Sequence, residues 1–354
     1  MMPPHPSTET IINQCNICGN DLLERLGDVE GTAYAPGRFF GLYRCGKCQL
    51  VFIHPQPEPD ELRALYPEDY GPHDPGNLPG NAARKALMDT FREFVFLPDG
   101  TGHGRYRGLK SLLARLYNTF AYRSIPAFIE NGVLLDVGSG LGTYLFLLQK
   151  LGWRVHGIEA NKNAALFAQR NLGLDVREGG FEDAVFPENS FDVITMWHSL
   201  EHFPDPGRIL RKVNTLMKSG GRLLIGAPNY ASMDRKLFGR HWNGAEIPLH
   251  LFHFNPVSLQ TALESAGFQC KRMVHTIRPP DFAKSLRNLL RAYFGADESR
   301  LIRNLTLSAS IPPTFLFALL KRSSIIVIQA VKASPASLNR PSAAWSISGG
   351  SDKQ

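Results

Sequence analysis

From residue 131 onward, short apolar runs alternate with amphipathic stretches of helical spacing. The spacing predicts strands over 133–137, 154–158, 191–196, 222–225, 268–274 and 324–330. It predicts helices over 143–151, 164–172, 208–217 and 256–266. Strands alternating with helices of this length form a parallel, doubly wound sheet, because each helix must cover an apolar sheet face. The earlier part of the chain has a different texture. A strand-like run, Leu50-Val51-Phe52-Ile53, ends at Pro55, Pro57 and Pro59, and Asp60 is placed to cap a short helix over 61–66. Residues 71–80 are turn-rich, and 81–97 and 105–130 have helical apolar spacing. The Ser-, Pro- and Gly-rich stretch 334–354 reads as disordered.

Four of the five cysteines form two tight pairs, Cys15-x-x-Cys18 and Cys45-x-x-Cys48; Cys270 stands alone. Met1–Thr10 has no basic region followed by an apolar run, so no secretory signal is visible and a cytoplasmic chain is expected. In that setting the two pairs read as a metal site, four thiolates closing a tetrahedral, structural Zn2+ shell. Unliganded thiols or a redox pair are the alternatives, and neither pair sits at the strand-to-helix junction that redox chemistry prefers. The predicted organisation is a zinc-binding module over 1–70, a helical linker or lid over 71–125, and an α/β domain over 126–333. A helical insertion at 284–322 precedes the last strand.

With 354 residues and 43% hydrophobic composition, the chain can build a real core. Its net charge of +7 is local: Lys271 to Lys332 holds eleven Lys and Arg against three acids. The rest is near neutral, which argues against a nucleic-acid partner. The uncharged run 304–320 is too short to span a bilayer, and Pro312 and Pro313 break it. The basic segment 284–322 is expected to pack over the active site as an insertion before the last strand. The alternative is peripheral contact of its basic residues and apolar faces with an anionic membrane at the inner face.

Gly138, Gly140 and Gly142 follow the first strand of the α/β region as G-x-G-x-G. The dinucleotide fingerprint would place its third glycine at 143, which is Thr143. The shorter spacing disfavours a pyrophosphate and suits a nucleoside with an amino-acid tail. Glu159, closing the second strand, can accept both ribose hydroxyls.

These segments resemble the class I S-adenosylmethionine-dependent methyltransferases over about 131–276. The resemblance rests on LLDVGSGLG at 134–142, GIEAN at 157–161, FEDAVFPENSFDVI at 181–194, LEHFPDP at 200–206 and KSGGRLLIGAPN at 218–229. It implies a doubly wound, Rossmann-like sheet and S-adenosylmethionine as cofactor. Asp136, Gly138, Gly140, Gly142, Glu159, Ala160, Asn161, Phe181, Glu182 and Trp197 become its candidate ligands. The family's Pro-Gly-Gly before the fifth strand is here Ser219-Gly220-Gly221. The cysteine pairs, with Leu65-Tyr66 and Asp69-Tyr70, more loosely resemble zinc-knuckle methyltransferases acting on sugars or similar small metabolites.

Acceptor chemistry is expected beyond the carboxyl ends of the fourth and fifth strands. His250, Tyr230 and His198 are the catalytic candidates, and Glu201, His202, Asn229, Trp242 and His253 the acceptor-binding ones. A histidine titrates near neutrality and can serve as the base. His250 and His253 would share a face if 248–254 were helical; a second metal site is not expected there. The leading expectation is O- or C-methylation of a small molecule, a sugar or sugar-linked metabolite. The alternatives are a lipid-linked glycan or quinone-like acceptor at a membrane, an RNA or protein acceptor, and a non-catalytic nucleoside-binding module.

Overall fold

The computed structural model describes residues 14–32, 34–66, 125–295 and 299–333. Strands β1 (Leu23–Glu30), β2 (Phe39–Cys45) and β3 (Val51–His54) form an antiparallel sheet behind the first cysteine pair. β1 and β2 escaped the sequence reading because their half-buried faces mix Arg, Glu and Gly with a few apolar residues, and β1 carries a bulge between Arg25 and Gly27. Helix α1 (Pro59–Ala64) starts at Pro59. Asp60 lies in its first turn; the capping position is Glu58, without a side-chain cap.

The second sheet contains β4 (Val133–Val137), β5 (Arg154–Glu159), β6 (Val176–Glu178), β7 (Phe191–Trp197) and β8 (Met217–Pro228). Helices α2 (Thr143–Lys150), α3 (Lys162–Leu172) and α4 (Pro206–Leu216) connect parallel strands. After β8 come α5 (Met233–Phe238), the short β9 (Phe252–His253), α6 (Pro256–Ser265) and β10 (Phe268–His275). Helices α7 (Pro279–Phe294) and α8 (Arg300–Leu319) precede β11 (Ile325–Lys332). The seven strands run β10-β11-β8-β7-β4-β5-β6, with β11 antiparallel to both neighbours. This is the expected doubly wound α/β fold, with its helical insertion before the last strand.

Two features tie the sheets together. β9 pairs with β3, so a segment following the fifth parallel strand becomes the fourth strand of the cysteine-bearing sheet. One apolar core then runs from Phe40, Leu50 and Ile53 through Leu249, Leu251 and Phe254 to Leu135, Ile194 and Ile225. The Asn255 amide also donates to the Gln49 carbonyl at 2.7 Å.

Three expectations change. Residues 125–130 are not helical, while 81–97, 105–124 and the tail 334–354 lie outside the described residues. Residues 248–254 enter β9 rather than a helix, so His250 and His253 do not share a helical face. Helix α8 runs through Pro312 and Pro313. A proline lacks the N–H that would bond four residues back, so two intrahelical bonds are lost. Around the pair, Ser310 donates to the Leu307 carbonyl and Thr314 to that of Ser310. No described helix is long and apolar enough to cross a membrane.

Candidate active site

A cavity of about 1520 Å³ opens at the carboxyl ends of β4, β5, β7 and β8. Pockets for one ligand commonly span ~300–1,000 Å³, so this one has room for a donor beside an acceptor. Beside it the chain leaves β4 through Gly138, Gly140 and Gly142, with φ of 75°, 54° and 72°. These left-handed values favour glycine. The N–H groups of Gly138 and Ser139 both donate to the Ile158 carbonyl, at 2.9 and 3.1 Å, and bind the turn to β5.

Glu159 is 5% exposed and fixed by two backbone donors. Gly140 N–H donates to one carboxylate oxygen and Asn161 N–H to the other, both at 2.7 Å. A carboxylate oxygen can accept more than one hydrogen bond, so a carboxylate fixed in this way suits a pair of hydroxyls. Ala160, Asn161, Phe181 and Glu182 continue the same wall. The hydroxyls of Ser139 and Ser199 are buried on this wall without a hydrogen-bond partner among the described residues and offer further polar contacts. Lys212, which the sequence did not single out, donates to the carbonyls of Phe181, Glu182 and Ala184 at 2.7–2.8 Å and fixes that loop. A buried carboxylate held by two backbone donors beside a Cβ-free turn fits a nucleoside with an amino-acid tail.

Two cofactor candidates fall elsewhere. The buried Asp136 accepts the Thr195 hydroxyl at 2.6 Å and lies beneath the turn, off the cavity wall. A Cβ on Gly142 would come within 2.6 Å of Leu174 and 2.9 Å of Ala168. That glycine lets α2 and α3 pack closely; it does not line the cavity.

The same cavity is lined by His198, His202 and His250, with Tyr34, Tyr66 and Glu246. His198 follows β7 with φ 52°, an uncommon value for a non-glycine residue. Its Nδ1 lies 3.0 Å from Glu201 Oε1, and Glu201 is wholly buried behind it. Burial opposes the Glu201 charge, but the His198 hydrogen bond and the nearby His198, His250 and His202 hold its pKa at about 2. His202 Nδ1 lies 3.0 Å from the Leu249 carbonyl and 2.8 Å from the Tyr66 hydroxyl. Burial, reinforced by His250, lowers the His202 pKa to about 4, so this ring is neutral at pH 7. His250 Nδ1 lies 3.0 Å from the Gly244 carbonyl.

The remaining candidates lie close by without lining the cavity. The Tyr230 hydroxyl accepts from Arg235 at 2.9 Å, and its ring packs 5.3 Å from that of His253. Trp242 donates to the Ser324 hydroxyl at 3.3 Å, and Asn229 to the Ser323 carbonyl at 2.9 Å. Trp197 reaches the wall, with its ring edge-on to Tyr144 at 5.5 Å. His202 was an acceptor candidate that does line the cavity. Tyr66, Tyr34 and Glu246 were missed as site residues because nothing local to them marks a site.

Away from the cavity, Cys15 and Cys48 sulfurs lie 3.6 Å apart and those of Cys18 and Cys45 3.5 Å apart, all four within 4.8 Å. A zinc–sulfur distance near 2.3 Å gives tetrahedral edges of about 3.8 Å, so the donor set fits a zinc ion. Cys48 N–H and the Asn20 amide both point at Cys45 Sγ, at 3.5 and 3.8 Å.

The order of strands, the glycine turn and the pinned acid define a nucleoside-binding α/β protein of the Rossmann-like kind. Residues 102–272 match the family described as a methyltransferase domain. Over 160 residues the chain is 32% identical to a ubiquinone biosynthesis O-methyltransferase of Xanthomonas euvesicatoria, which covers 42% of this chain and 67% of that protein. It is 32% identical over 126 residues to the uncharacterized methyltransferase YcgJ of Bacillus subtilis, covering 33% of this chain and about half (49%) of that relative. The solved YcgJ structure overlaps 63% of this chain and 98% of its own, with 19% identity and a TM-score of 0.42. The chain belongs to the class I S-adenosylmethionine-dependent methyltransferases.

Proposed function

We propose that this protein transfers a methyl group from S-adenosylmethionine to an oxygen of a small-molecule acceptor, a sugar or sugar-linked metabolite. The observation that carries this reading is one cavity whose wall holds both the pinned Glu159 carboxylate and His198, with Glu201 buried behind His198. When bound, the cofactor supplies a methyl group already activated by its sulfonium. Glu159 then accepts the ribose hydroxyls, and Phe181 and Ala160 flank the base. The glycine turn admits the amino-acid tail. Holding an acceptor oxygen in line with the methyl carbon supplies much of the acceleration. His198, whose Nδ1–H is directed at Glu201, would take the acceptor's hydroxyl proton on Nε2. A positioned base of this kind contributes about 10²–10⁴-fold. The relatives named for O-methylation in ubiquinone biosynthesis support oxygen over carbon. In this reading the four cysteines hold a structural Zn2+, closing the knuckles beneath β2 and β3.

Purified protein incubated with S-adenosylmethionine and a panel of hydroxylated sugars, sugar nucleotides and hydroxylated aromatics is expected to release S-adenosylhomocysteine with one class. His198→Asn is expected to lower kcat at least ~10²-fold with cofactor affinity unchanged. No turnover with any class, together with no affinity for S-adenosylhomocysteine, would refute the reading.

A second reading, a lipid-linked or quinone-like acceptor reached at a membrane surface, is favoured by one observation. Helix α8 exposes Leu301, Leu305, Ile311, Phe315 and Leu319 as an apolar stripe, each at least half exposed, with Arg300, Arg303 and Lys321 exposed beside it.

A further inference from the structure

We propose that Glu201, His202 and His250 bind a divalent metal ion beside the cavity, separate from the four-cysteine cluster. One ligand atom from each lies within 4.8 Å of the others. The two imidazoles are already set for this. A carbonyl oxygen only accepts, so the Leu249 and Gly244 carbonyls, each 3.0 Å from a Nδ1, favour the tautomers of His202 and His250 with the proton on Nδ1, and the Tyr66 hydroxyl, 2.8 Å from the same His202 Nδ1, can accept that proton as well. Both Nε2 lone pairs are left available. Metal-bound histidines almost always carry this outer bond, because it fixes tautomer and ring orientation. The rings stand edge to face, with centroids 4.8 Å apart.

Glu201 supplies the negative charge. It is fully buried, its Oε1 is engaged by His198, and its Oε2 has no hydrogen-bond partner. A buried carboxylate oxygen left without a hydrogen bond is costly, and a cation satisfies it. Glu246 stands on the same wall, with Oε2 3.6 Å from His250 Nε2. Two imidazoles favour zinc over calcium or magnesium, and the carboxylate also suits manganese. Three protein ligands, with His202 and His250 on the cavity wall, leave a position for a ligand from the cavity, as in catalytic rather than structural sites. Resting on the proposed methyl transfer, the ion's role is to hold the acceptor oxygen and make its proton easier to lose. His198, on the other oxygen of Glu201, then stands beside that proton. Metal binding itself does not depend on that reading.

Full-length protein is dialysed against zinc and its metal content measured. About two equivalents are expected in the wild type, one in Glu201→Gln, one in His250→Asn and one in Cys45→Ser. Because the two losses are independent, the Glu201 and His250 variants keep the cysteine-bound equivalent, which shows that they fold. With the cysteine cluster zinc-filled, titration with Mn2+ followed by electron paramagnetic resonance is expected to bind one further equivalent in the wild type and none in Glu201→Gln. A single zinc in the wild type, or two that survive both Glu201→Gln and His250→Asn, overturns the site. Calorimetry with S-adenosylhomocysteine on the same wild-type preparation decides the methyltransferase reading separately.

Discussion

Glu159 illustrates how much one side chain can carry. Its carboxylate accepts the Gly140 and Asn161 N–H groups, so the glycine turn and the acid form one preassembled unit. A hydrogen bond to a charged group is worth about 1.5–3 kcal/mol. Glu159→Ala is therefore expected to weaken S-adenosylhomocysteine at least about ten-fold by calorimetry; unchanged affinity would sink the assignment. The sequence singled out this residue because turn, strand and acid follow one another within a short span. It also pointed to Asp136 and Gly142, but could not tell a ligand contact from a structural one. Asp136 is spent on Thr195 and Gly142 on the Ala168–Leu174 contact. Both demands come from neighbours distant in sequence.

At the scale of elements, the alternation after residue 131 was legible because β4, β7 and the second half of β8 are buried on both faces and the helices between them on one; the short edge strand β6, exposed at two of three residues, left no such signal. The N-terminal strands were not, since their polar faces blur the period. Helix α8 overturned a local rule. Its prolines were read as a break, yet the helix continues and packs Thr306, Ser310, Thr314 and Phe317 inward. Its outward stripe of leucines, isoleucine and phenylalanine meets no described partner, and arginines flank it. Anionic lipid attracts basic residues by about 1 kcal/mol each near the surface. Cosedimentation with phosphatidylglycerol vesicles is expected at low salt, weakening as salt rises and absent for a Leu305→Asp, Phe315→Asp variant. Equal sedimentation with neutral vesicles would count against the membrane reading.

The whole molecule answers to pH through buried histidines. His275, on β10 with its Nδ1 3.2 Å from the Ser323 hydroxyl, has its pKa lowered to about 4 by burial and by Lys321 and Arg322. His253 is lowered to about 3, mainly by burial. The unfolded chain therefore binds more protons than the native one below about pH 6.5. Stability is full at neutral pH and falls as pH drops from about 6.5 toward 4, by up to about 3 kcal/mol for His275. Asp234, raised by burial to about 6, acts in the opposite sense between about pH 4 and 6. Denaturant unfolding at several pH values is expected to show a shallower loss over this window in His275→Gln. A variant curve parallel to the wild type would refute the linkage.

The amino-acid sequence by itself determined the parts whose physics is local. Strand–turn–acid order, paired cysteines and the apolar period each depend on residues close along the chain. Only the tertiary structure decided which groups share a volume. Glu201 and His202 meet His250 because β9 crosses to pair with β3, laying residues 246–253 over the end of β7. Backbone pairing between segments about 200 residues apart brings those side chains together, and no pattern within either segment encodes that distance.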